Sequence, residues 1–103
     1  IAYGGPITFK KADEVRSAAT KVARNLLLTE TDSPYMTPEP MRGVDFGPAH
    51  VVFTAEKLLE VLGAETQAER EDLLGQMYGN ALGLLDRQPT QWQRANADLL
   101  AGA

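Results

Sequence analysis

At 103 residues the chain has room for one domain and not for two. Hydrophobic residues at 44% and charged residues at 23% exclude a disordered, fibrous or supercharged chain, and fourteen Asp and Glu against ten Lys and Arg exclude a surface that draws in duplex DNA by charge alone. The absence of cysteine excludes a disulfide framework, thiolate zinc sites and cysteine nucleophiles, and it fits a reducing compartment.

No apolar run approaches the roughly 18 residues of a membrane span, and the N-terminus lacks the basic-then-apolar order of a signal peptide. The expectation is a soluble, cytoplasmic protein that makes no membrane contact. The chain opens at Ile1, inside what reads as a strand, which points to a trimmed or excised piece.

The first predicted element is a strand over Ile1–Gly5, closed by Gly4, Gly5 and Pro6. Thr8 then serves as a candidate N-cap for a helix over Phe9–Ala23, in which Ala12, Val15, Ala19 and Val22 recur at helical spacing. Asp13 and Glu14 fall in its early turns, where the helix dipole favours acids. Asn25–Thr29 is a short apolar run without alternation, as in a strand buried on both faces of a parallel sheet, although a buried helical turn reads the same. Thr31–Pro48 carries Pro34, Pro38, Pro40 and Pro48 with Gly43 and Gly47, a long loop of the kind that usually serves a function.

Pro48 opens the next predicted helix, striped by Val51, Val52, Ala55, Leu58, Leu59 and Leu62 and stopped by Gly63. Thr66 and Glu69 form a capping box for a helix bearing Leu73, Leu74, Met77, Tyr78 and Ala81. Gly79 and Asn80 are expected to break it, with Asn80 capping a short helix around Leu84 and Leu85. After Pro89 an amphipathic stretch aligns Trp92, Ala95 and Leu99, with Trp92 expected to be packed. The strand–helix order is α/β, yet two strands alone do not make a self-sufficient parallel sheet.

The chemically informative stretch is Leu26 to Tyr35, in which a buried strand ends abruptly in Glu30, Asp32 and Pro34. In parallel α/β folds the carboxyl end of a strand faces the ligand loops, so Asp32 is placed as a hard oxygen donor for a divalent cation or as a general base. The alternative is an Asx turn ahead of Pro34. Glu30 is two residues away and so on the same side of a strand.

Ile7-Thr8-Phe9-Lys10-Lys11-Ala12, Leu27 through Tyr35, Arg42-Gly43, Pro48-Ala49 and Asn80-Ala81 together resemble, in order and spacing, the C-terminal part of the TatD family of metal-dependent deoxyribonucleases and related hydrolases. The resemblance implies a TIM-type (β/α)8 barrel, which takes about 250 residues. This chain then holds its last two β/α units plus the C-terminal helices, as a single unit over residues 1–103. Residues 1–87 carry the likeness and 88–103 form an extension without a functional reading. The family's closing aspartate falls on Asp32, as metal ligand and catalytic group, with Glu30 supporting it from behind. Arg42 matches a loop position beside the site and is a candidate for binding substrate.

The remaining ligands of the family, histidines and a glutamate, come from earlier strands. By this resemblance the intact protein uses a divalent ion (Mg, Mn or Zn) on a nucleic-acid substrate, while the chain alone is inactive, mostly helical and self-associating. His50 falls in the P-A-x-V segment at a position outside the ligand set, and Lys10 and Lys11 read as solvated charge. Val44-Asp45-Phe46-Gly47 departs from the polar stretch that family members carry after Arg-Gly, which implies different bonding between this loop and the barrel rim. The competing reading is a small helical interaction module, with neither metal nor catalysis, in which the strand-like segments are buried linkers.

Overall fold

Two short parallel strands and five helices make up a computed structural model that describes residues 1–43, 47–87 and 89–102. Strand β1 (Ala2–Tyr3) pairs in parallel with β2 (Leu28–Thr29), Ala2 opposite Leu28 and Tyr3 opposite Thr29. The ladder is closed by the Leu28 N–H donating to the Ile1 carbonyl at 2.9 Å and the Glu30 N–H donating to the Tyr3 carbonyl at 3.0 Å. The β-α-β order expected from the pattern is therefore present, but each strand is shorter than its apolar run. A 3-10 turn takes Gly5–Thr8, and another takes Arg24–Leu26.

Helix α1 (Asp13–Ala19) is half the predicted length, and Thr8 does not cap it. The Thr8 hydroxyl donates to the Gly5 carbonyl at 2.7 Å and accepts the Glu39 N–H at 2.7 Å, so it is engaged elsewhere. Arg16 reaches back to the carbonyls of Ile7 at 3.0 Å and Phe9 at 2.7 Å, which holds residues 9–12 out of the helix. Val15, on the expected apolar face, is 42% exposed, whereas Ala19 is fully buried.

A 3-10 turn over Pro48–His50 leads into α2 (Val51–Val61), as Pro48 and the stripe predict. Thr54, Leu58 and Leu59 form its buried face, while Val52 points outward. Gly63, at φ +76°, ends it in a left-handed C-terminal turn. Its N–H donates to the Glu60 carbonyl at 3.1 Å and the Ala64 N–H to that of Leu59 at 3.0 Å, the paired bonds of a Schellman closure.

Helix α3 (Gln67–Leu85) begins at the Thr66 and Glu69 capping box, with the Glu69 N–H donating to Thr66 Oγ1 and the Thr66 N–H to Glu69 Oε2, both at 3.1 Å. It runs unbroken through Gly79 and Asn80, contrary to expectation. The Asn80 amide donates to the carbonyls of Arg24 and Leu27, each at 2.8 Å, and so ties mid-helix to the turn before β2. This tertiary clasp offsets the weak helix propensity of Gly-Asn. Two short helices follow, α4 (Gln91–Ala95), capped by Thr90, and α5 (Ala97–Ala101). Trp92 is 60% exposed, so it is not the packed aromatic expected of it.

The core comprises Ile7, Ala19, Leu27, Leu58, Leu59, Ala64, Leu73 and Met77. Each fully buried leucine there contributes about 1.5–3 kcal/mol of transfer free energy. Helix α2 packs on the Gly5–Thr8 turn at the carboxyl end of β1, and α3 on β2 and the turn that leads into it. Among the described residues, no helix is long and apolar enough to cross a membrane.

Candidate metal centre

The loop after β2 lies across the end of β1. A Cβ on Gly4 would collide with the Glu30 carboxylate, and one on Gly5 with the Met36 carbonyl and then Pro38. Neither glycine has a positive φ, so they are needed for space rather than for backbone freedom. Thr37 and Pro38 are buried, and the Thr8–Glu39 bond fastens the loop's far side. A floor of Gly4, Gly5 and Thr8 thus fixes residues 30–39 over the parallel pair.

Glu30 sits on that floor, held at its backbone by Tyr3. Partial burial, and then the negative charge of Asp32, push its carboxyl above the ordinary carboxylate value. The two acids are therefore electrostatic neighbours, as the sequence reading expects. The strand stops at Thr29, so the loop's course and not simple strand alternation brings them near.

Asp32 is exposed, in irregular chain just beyond β2. A turn does form at Pro34, but the backbone carbonyl of Asp32 closes it by accepting the Tyr35 N–H at 2.8 Å. Thr31 Oγ1 accepts the Ser33 N–H at 3.1 Å, a side-chain turn that starts one residue before Asp32. The Asp32 carboxylate stays exposed toward solvent at the open end of the parallel pair.

Arg42 is held by the loop against the preceding segment. Its guanidinium lies 4.2 Å from the centroid of the Phe9 ring, and its Nη1 donates to the Thr37 carbonyl at 3.4 Å. These contacts position the guanidinium itself, while the residue stays exposed. Val44, Asp45 and Phe46, where the sequence departs from the family pattern, lie outside the described residues. His50 takes a local role, its Nδ1 accepting the Gly47 N–H at 3.1 Å and its ring stacking on Phe53 at 6.2 Å. Lys10 and Lys11 are exposed, as solvated charge should be.

Sequence reasoning missed the floor. Gly4-Gly5-Pro6 read as punctuation after a strand, and only the adjacency of two glycines hinted at a close approach. The Asp32 carboxylate is a hard oxygen donor of the type a divalent cation takes, with Glu30 as a second acid near it. Among the described residues no group of three or more His, Cys, Asp or Glu is arranged to hold one. By themselves, then, these two acids are too few to hold a hydrolytic metal.

A family model described as TatD related DNase matches residues 1–85. The uncharacterized metal-dependent hydrolase YabD of Bacillus subtilis strain 168 is 38% identical over 61 residues, covering 59% of this chain and 24% of YabD. The uncharacterized metal-dependent hydrolase YcfH of Escherichia coli K12 is 40% identical over 67 residues, 65% of this chain and 25% of YcfH. The uncharacterized metal-dependent hydrolase BU355 of Buchnera aphidicola is 45% identical over 58 residues, 56% of this chain and 22% of BU355. The chain spans about a quarter of the length of these relatives.

Proposed function

This chain belongs to the TatD related DNase family, and we propose that it supplies the last two β/α units of a (β/α)8 barrel that hydrolyses nucleic-acid phosphodiester bonds in the cytoplasm. Preceding strands would complete both the barrel and the metal site. The observation that carries the reading is the exposed Asp32 carboxylate beside Glu30, at the carboxyl end of a parallel strand pair. Active sites of such barrels lie at that end. The curated relatives, named metal-dependent hydrolases, support a divalent ion in general.

Asp32 and ligands from elsewhere would hold the ion, of the Mg, Mn or Zn kind. When bound, it supplies Lewis acidity toward the phosphodiester and lowers the pKa of water. The chain's own groups do the rest. Asp32 offers one oxygen as ligand and is the candidate to accept a proton from the attacking water. Glu30 stands behind it and fixes the local negative charge that favours a cation. The Arg42 guanidinium, braced on Phe9, is suited to a phosphate oxygen. The chain alone should be inert, because hydrolytic sites of this type need about three protein ligands with one position open to water. The metal-free interaction module is disfavoured by the parallel ladder, since that reading makes the strand segments merely buried linkers.

The test is cleavage of labelled DNA with Mg²⁺ or Mn²⁺ by a protein that carries this sequence at the full length of its relatives. Cleavage that is abolished by EDTA, weakened in Asp32→Asn and absent from the 103-residue chain alone is expected. Turnover by the short chain, or metal-independent cleavage by the long one, would overturn the assignment.

A further inference from the structure

Tyr35 is 75% exposed and its neighbour Met36 is 52% exposed, on a segment whose backbone is otherwise fastened down. The Tyr35 N–H donates to the Asp32 carbonyl at 2.8 Å, the Met36 carbonyl rests on Gly5, and Thr37 and Pro38 are buried behind it. Met36 itself takes a left-handed φ of 54°, a conformation that a non-glycine residue adopts at a cost. Anchored on both sides, the turn holds an aromatic ring in water. The two ends of such a turn lie within about 7 Å of each other, so the Tyr35 backbone is next to that of Asp32.

The charge balance calls for such a group. A chain with a net charge of −4, displaying Glu30, Asp32 and Glu39 on this loop, gains little from counterion release when a polyanion approaches. Contacts that do not depend on phosphate charge are what this part of the protein can add to those of Arg42. A base stacked on an aromatic side chain provides about 1–3 kcal/mol, whatever the base. We propose that Tyr35 is a stacking platform for an unpaired nucleobase, which registers the adjoining phosphodiester against Asp32. This inference rests on the nucleic-acid reading above and adds the element recognised, the base face. Tyr35 is thus a positioning and specificity residue rather than a participant in bond cleavage.

The experiment compares two fluorescein-labelled single-stranded oligonucleotides of equal length, one with bases and one abasic, by anisotropy with the full-length protein in EDTA. The absence of metal separates binding from hydrolysis. Wild type is expected to prefer the base-bearing strand, and Tyr35→Ala to lower that preference by about 5- to 100-fold. Tyr35→Phe should keep it, since the ring face is retained. So should Tyr78→Ala, a control on a tyrosine that is 68% exposed on α3.

An unchanged preference in Tyr35→Ala, equal weakening of both strands, or loss in Tyr35→Phe would overturn the platform. In that case metal-dependent DNA cleavage by wild type would leave the nuclease reading standing. If wild type binds neither strand and cleaves none, the nuclease reading fails and the platform fails with it. Circular dichroism of each variant guards against misfolding, and Tyr35→Trp, which enlarges the stacking face, should strengthen the preference for bases.

Discussion

Gly5 shows how one missing side chain positions a loop about thirty residues further along the chain. The Met36 carbonyl occupies the volume a Cβ would take, and backbone cannot swing aside as a flexible side chain would. Gly5→Ala must therefore displace residues 36–38, at a destabilisation of about 1–3 kcal/mol by analogy with overpacked cores. Urea unfolding followed by circular dichroism measures it, and an unchanged midpoint would mean that the loop is not seated on this floor. Gly63 makes the opposite case, because nothing lies within 4 Å of its added Cβ and its positive φ alone explains it. Gly63 was legible in the sequence, since helix stops follow local backbone rules. Gly5 was not, because its reason is a contact with a segment thirty residues on.

The same division holds among the helices. Helix α3 begins where Thr66 and Glu69 said it would, since a capping box is complete within four residues. The N–H groups of Thr66 and then Glu65 hold the Glu69 carboxyl below its ordinary value of 4.5. A depressed carboxyl stabilises the folded state fully above the unfolded value and loses that contribution as pH falls through the folded one. The unfolding midpoint should therefore fall as pH drops below 4.5, and Glu69→Gln should flatten part of that slope. An identical pH profile in the variant would show that the cap contributes nothing.

The middle of α3 was misread, because the Gly79-Asn80 pair carries a break signal that a tertiary bond overrides. Asn80→Ala would strip the carbonyls of Arg24 and Leu27 of their donor, at about 1–3 kcal/mol. Asn80→Asp should be no better, since it sets a carboxylate against two carbonyl oxygens. Stability equal to wild type in either variant would contradict the clasp. Helix α1 was overestimated for a similar reason, as Arg16 and the engaged Thr8 hydroxyl act through contacts that periodicity does not register.

As a whole molecule, the chain is larger than its mass warrants. Its radius of gyration is 16.2 Å, against roughly 13 Å for a compact domain of this length. Its accessible surface is 7259 Å², against about 5,700 Å² for a compact monomer of this mass. Part of the excess is apolar and lies at the free sheet edge and the end of α3, where Ile1, Leu26 and Leu84 are exposed and Leu85 is 79% exposed. Surface of this kind promotes association. Light scattering on the isolated chain should give a mass above 11.2 kDa that rises with concentration, and a constant monomer mass would contradict it.

The parallel order and the acid-rich end of the second strand could be read from the sequence because both follow from short-range pattern. How the loop is fastened over that end, by Gly4, Gly5 and Thr8, could not. The central claim is that Asp32 is a metal ligand. Its most direct measure is the Mn²⁺ affinity of the full-length protein, followed by electron paramagnetic resonance, for wild type and Asp32→Ala. A loss of at least about ten-fold is expected, since even residues that only support a ligand are worth 10- to 100-fold. Equal affinity in the two proteins would remove Asp32 from the metal site.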